Sequence, residues 1–144
     1  MFKLDLESRL AAWSAFRKDL EVSESPLTDL SEFWKHTPYS GYNRLIDPYY
    51  QDSWPTPWEI IVENKYDDFT KSVMIGYTLL LTNRFKDSNI KIKTLVDSSN
   101  NRLYNVVCID DTLALNYDDS QPVSIDIIPE HYRIENLIEL KRPR

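Results

Sequence analysis

Few residues in this 144-residue chain have side chains suited to acid–base, nucleophilic or metal chemistry. Carboxylates come in three pairs, Asp67-Asp68, Asp110-Asp111 and Asp118-Asp119. Adjacent acids can hold a hard cation or divide acid and base roles between them. Each pair, however, falls at a turn or at the start of a helix, where Asp is favoured for backbone reasons, and a structural role is expected. The two histidines, His36 and His131, lie far apart and neither has a His or Cys neighbour at ligand spacing. No zinc site and no other metal site is therefore expected. Cys108 is the only cysteine. It sits inside the apolar run Val106-Val107-Cys108-Ile109, where a buried inert thiol is expected rather than a thiolate nucleophile. With only two glycines in the chain there is no glycine-rich phosphate loop and no dinucleotide fingerprint, so no cofactor is expected.

These groups are carried by helices in the first half and strands in the second. Leu6, Leu10, Trp13 and Leu20 recur at helical spacing and predict a helix over residues 4–21. A second, short helix is predicted over 27–35, ending before Thr37-Pro38. Residues 39–55 show no period but hold Tyr39, Tyr42, Tyr49, Tyr50 and Trp54. A long aromatic loop either packs on its own domain or forms a partner surface. Thr56-Pro57-Trp58-Glu59 combines an N-cap, a proline at the first helical position and a capping box, so a third helix starts there and lasts to about residue 64. A fourth, capped by Asp67 or Asp68, is predicted to run to about residue 84. Its apolar positions Phe69, Val73, Tyr77, Leu80 and Leu81 make it the central helix. Gly76 inside it costs about 1 kcal/mol relative to Ala and predicts close approach of a neighbouring element.

From Ile90 the period changes to two. Strands are predicted over 90–97, 102–110, 112–117 and 133–141, with a short apolar segment, strand or turn, over 123–128. Helices followed by strands imply an α+β domain in which N-terminal helices pack on a C-terminal antiparallel sheet. One domain spans residues 1–144, with 1–55 a helical and aromatic-loop extension and 56–144 the helix-plus-sheet core.

Composition narrows the partners. Hydrophobic residues make up 42% and charged residues 28% of the chain, which suits a folded domain and not a disordered one. The net charge of −6 weighs against general nucleic-acid binding, which is dominated by phosphate contacts. The one clear basic cluster is Lys141, Arg142 and Arg144 at the end of the chain, expected to be solvated or to touch a partner. No apolar run is long enough to span a membrane, and residues 1–5 do not read as a signal peptide.

The order of elements over residues 56–132 resembles that of transglutaminase-like cysteine peptidases. In that family a short helix precedes the nucleophilic Cys, which opens a long apolar helix, and a hairpin then carries the catalytic His and Asp. Asn64-Lys65-Tyr66-Asp67-Asp68-Phe69-Thr70 is similar to the Cys segment, Asn105-Val106-Val107-Cys108-Ile109 to the His strand, and Ala114-Leu115-Asn116-Tyr117 to the Asp strand. The resemblance implies a transglutaminase/papain-like layout in which Tyr66 (or Asp67, with the register slipped by one) replaces Cys, Asn105 replaces His and Asn116 replaces Asp. Such a triad has neither thiolate nor proton acceptor and cannot run the reaction.

The whole chain also resembles small proteins of no assigned role encoded by tailed bacteriophages, marine myoviruses above all. That likeness rests on Trp54-Pro55-Thr56-Pro57-Trp58-Glu59, Tyr66-Asp67-Asp68-Phe69-Thr70 and the end from Leu137 to Arg144. It implies a virion component or an infection-stage protein, in the virion or the host cytoplasm. The expected function is thus a non-catalytic structural or protein-interaction module, with other proteins, virion subunits among them, as partners and no small-molecule substrate. The expected partner-binding residues are Tyr39, Tyr42, Tyr49, Tyr50, Trp54, Lys141, Arg142 and Arg144. Two alternatives stand beside it: a divergent hydrolase and a phage regulator that binds a host protein.

Overall fold

A computed structural model describes residues 1–40, 46–118 and 121–143. Among the described residues four α-helices come first: α1 (Leu6–Val22), α2 (Pro26–Trp34), α3 (Pro57–Glu63) and α4 (Asp68–Leu80). Five strands follow among the described residues: β1 (Ile90–Asp97), β2 (Arg102–Ile109), β3 (Leu113–Leu115), β4 (Val123–Ser124) and β5 (Arg133–Leu140). They form one antiparallel sheet in the order β4-β3-β2-β1-β5. The α+β class and its order, helices and then strands, follow the sequence pattern.

Local chemistry sets the helix starts. The Asp5 carboxylate accepts from the Ser8 N–H and opens α1. Thr56 and Glu59 complete the reciprocal capping box of α3, with Pro57 in the first turn. Asp67 caps α4 by accepting from the Thr70 N–H at 2.7 Å. That cap leaves Asp68 as the first helical residue.

The sheet has two faces because its side chains alternate. Ile90 and Ile92 of β1, Val107 and Ile109 of β2, and Ile138 and Leu140 of β5 point at the helices and join one large apolar core. Trp13 and Leu20 of α1, Leu30 and Trp34 of α2, and most of α4 belong to the same core, so the first 55 residues and the sheet share it. The opposite face carries a smaller cluster of Leu95, Val106, Cys108 and Ala114. Tyr104, Tyr117, Val123, Ile125, Ile128 and Tyr132 cover that cluster.

Helix α4 lies across the sheet, and nearly every residue from Phe69 to Leu80 is buried. Gly76 has the close approach expected of it. A methyl group built there would stand 2.5 Å from Leu140 Cδ1 and 3.1 Å from Ile90 Cγ2. The helix ends at Leu80, earlier than its pattern suggests. Thr82 donates to the Leu79 carbonyl, and the Glu21 carboxylate accepts the N–H groups of Asn83 and Arg84, each at 2.9 Å. Those bonds hold the chain in a turn rather than a further helical round.

Strand β3 is also shorter than expected. Asn116 adopts φ 64°, the left-handed region that Asn tolerates better than most residues, and the ladder stops at Leu115. The apolar segment after residue 122 is a two-residue strand followed by a 3-10 turn, Ile125–Ile127.

Candidate functional site

Where α4 begins, the sheet supplies a polar network. Thr94 on β1 and Asn105 on β2 are cross-strand neighbours on the helix-facing side. The Thr94 hydroxyl donates to Asn105 Oδ1 at 2.8 Å, which fixes the amide so that Nδ2 points to the helix start. There Nδ2 donates to Asp68 Oδ2 at 2.9 Å. Asn116, just past β3, donates from Nδ2 to Asp68 Oδ1 at 3.2 Å and to the Asn105 carbonyl at 2.8 Å. Both oxygens of Asp68 therefore accept amide donors. A carboxylate in the first turn also lies well in the field of the helix dipole.

A cavity of about 410 Å³ opens beside this network. The α4 start contributes Asp67, Asp68 and Phe69 to its wall. Strand β2 contributes Arg102 to Asn105, and the segment after β3 contributes Asn116 and Tyr117. Tyr39 stands at the rim with 80% of its surface exposed. On the other side of the sheet Tyr104 stacks on Tyr132, with ring centroids 5.6 Å apart, and lies 5.1 Å from the Tyr117 ring. The Arg102 guanidinium sits 4.6 Å over the Tyr104 ring.

Of the three positions marked by the peptidase resemblance, Asn105 and Asn116 meet at this cavity. Tyr66 does not stand with them. Its backbone bridges to Tyr39, and its carbonyl accepts the Ser40 N–H at 2.7 Å. Its ring turns into the core against Phe2 and Trp34, both at 5.7 Å between centroids. The hydroxyl is buried with no hydrogen-bond partner among the described residues, and burial pushes the phenol well above its ordinary pKa. The third member facing the two asparagines is Asp68, two residues further along.

The aromatic loop divides. Trp54 is half-buried, packs edge-on against Phe69 at 5.8 Å, and donates from Nε1 to the Asp47 carbonyl at 2.6 Å. It belongs to the support of α4. Tyr39, Tyr49 and Tyr50 are exposed. Tyr42 lies outside the described residues, as does Arg144. Lys141 and Arg142 are exposed beyond β5. They follow Leu140, which pairs with Ile90, at the end of the sheet away from Arg102, so Lys141 and Arg142 stand apart from the cavity.

The other reactive groups stand apart from the cavity. Cys108 is buried on the far face, where desolvation raises its pKa and the Lys93 and Lys91 charges only partly offset that. His36 bonds to Glu32 on the surface, and His131 packs edge-on to Tyr132. Among the described residues no three His, Cys, Asp or Glu side chains gather closely enough to hold a metal ion. No described helix is long and apolar enough to cross a membrane.

Comparison with family models, curated proteins and solved structures gives no match.

The sequence pattern pointed to Asn105 and Asn116 but not to Leu103, Tyr104 and Tyr117, which form the cavity wall. What was not visible is that β3 stops short, so that among the described residues no strand covers this part of β2.

Proposed function

We propose that this chain is a non-catalytic protein-interaction module whose binding face is the cleft between the start of α4 and the uncovered part of β2. The observation that carries the reading is the bonding of Asp68. Both carboxylate oxygens accept side-chain amides, from Asn105 and Asn116. A neutral amide takes no proton from a nucleophile, so Asn105 and Asn116 orient Asp68 without activating anything. The network fixes the shape of the cleft floor, and exposed side chains, Tyr39 and Leu103 among them, are left to meet a partner. Exposed aromatic and aliphatic groups around a concave, rigid floor suit a protein interface.

The resemblance to phage proteins suggests that the partner is another virion or assembly subunit. The test is recovery of partners from cells infected with a source phage, using the intact chain and the double variant Tyr39→Ser with Leu103→Ser. Both side chains are exposed, so the variant should keep its melting temperature. The expected result is a virion or assembly protein bound by the intact chain and lost from the variant. A partner retained in full by the variant contradicts the cleft as the binding face. Amide or ester hydrolysis by the intact chain that disappears in Asp68→Asn contradicts the non-catalytic reading.

A further inference from the structure

The cleft is walled on one side by a strand edge that the sheet does not use. Strand β2 pairs with β1 along its whole length, whereas β3 covers only Val107 to Ile109. On the β3 side, Val107 pairs with Leu115, and the Asn105 carbonyl accepts the Asn116 side chain. Backbone groups alternate between the two sides of a strand, so the N–H of Asn105 and the N–H and C=O of Leu103 point the same way. Among the described residues none of these three has a hydrogen-bond partner on that side. An uncovered edge of this kind is a template for one more strand.

The walls beside this edge differ in chemistry. On the helix-facing side stand the carboxylates of Asp67 and Asp68 with the Tyr39 ring, bordered by Lys35, which pairs with Glu32, and by Lys71. The amides bonded to Asp68 are neutral, and no salt bridge among the described residues uses Asp67 or Asp68. On the opposite side stand Tyr104, Tyr117 and the Arg102 guanidinium already seated on Tyr104. A strand added to β2 would alternate its side chains between these two walls. Cations suit the first wall, by charge and by the aromatic ring at its rim. Apolar or aromatic groups suit the second, where Arg102 repels a further cation.

We propose that the cleft receives an extended peptide with lysine or arginine at alternate positions, which adds as a strand to the Leu103–Asn105 edge of β2. This rests on the binding reading above and names its ligand. Asn116 shapes the site: it closes one rung with its side chain and turns the chain aside, so that the next rungs stay available.

The test uses the full chain and three fluorescein-labelled hexapeptides: alternating lysine and valine, alternating glutamate and valine, and the lysine peptide with N-methylated backbone amides. The lysine peptide is expected to bind at least tenfold more tightly than either of the others. Amide exchange at Leu103 and Asn105, followed by NMR, is expected to slow on binding. Asp68→Asn and Asp67→Ser, the latter still a good N-cap, are each expected to weaken binding severalfold while the chain stays folded. Absence of binding by the lysine peptide, equal binding of the glutamate peptide, or binding without protection at Leu103 and Asn105 each overturns the proposal. A natural partner that needs Tyr39 and Leu103 but leaves those two amides unprotected overturns the strand-addition proposal and leaves the interaction module standing.

Discussion

Asn116 donates from its side chain to the backbone carbonyl of Asn105 at 2.8 Å, doing with an amide group what the next residue of a longer β3 would do with its backbone. The same Nδ2 reaches Asp68 at the start of α4. One side chain thus ends a strand and ties the sheet to the central helix, and among the described residues no strand covers the neighbouring part of β2. It does so from a backbone conformation, φ 64°, that most residues avoid.

Replacing Asn116 should separate these effects. Asn116→Ala loses both hydrogen bonds and leaves in the left-handed region a residue that tolerates it less well than Asn, where most side chains cost about 1–2 kcal/mol. Added to about 1 kcal/mol for the lost bonds, the variant should be destabilised by about 2–3 kcal/mol. Asn116→Gly loses only the bonds and should fall by about half as much. Urea denaturation of the two variants beside the parent measures the difference. Equal losses would show that the backbone conformation carries no strain.

At Gly76 the helix gives up stability in return for proximity. Gly76→Ala should gain about 1 kcal/mol of helix propensity. It should lose about 1–3 kcal/mol through crowding against Leu140 and Ile90, so the net change is destabilising. In a Leu140→Ala background the crowding is relieved, and Gly76→Ala should become neutral or stabilising. A double-mutant cycle reads this as a coupling between the two positions, and additive effects would mean that the neighbours give way without cost.

Glu21 should make stability depend on acid. Its carboxylate accepts the backbone N–H groups of Asn83 and Arg84, which lower its pKa below the ordinary 4.5. A group whose folded pKa is depressed contributes stability that is present above its unfolded pKa and is lost as pH falls through the folded value. Glu21→Gln should therefore melt lower than the parent at pH 7, and the gap should close as pH drops below about 4.5. A gap independent of pH would assign the loss to packing.

Much of the fold was legible because it is local. Thr56 and Glu59 sit three residues apart and cap each other. The alternation of Ile90, Ile92 and Thr94 declares a strand with one face buried. Gly76 in the most apolar helix announces a close neighbour. The site was legible only in part, because it is built from contacts between distant positions. Asp68 bonds to residues 37 and 48 positions away, and the sequence offers no sign of which acid of Asp67-Asp68 turns inward to the sheet and which caps the helix. Tyr66 occupied the expected place in the order of elements, but its ring packs into the core against Phe2 and Trp34, contacts between positions far apart in the chain. For the end of β3 there was a signal. Asn is among the residues that most often occupy the left-handed region.

The most direct measurement compares the affinity of the natural partner for two matched variants, Leu103→Arg and Leu137→Arg. Both leucines are about half exposed, 54% and 52%, but Leu103 lines the cleft and Leu137 lies on β5, at the other side of the sheet. Binding through the cleft predicts a loss of at least tenfold in affinity for Leu103→Arg, no change for Leu137→Arg, and parental melting temperatures for both. Full affinity in Leu103→Arg, or a loss confined to Leu137→Arg, would contradict the account.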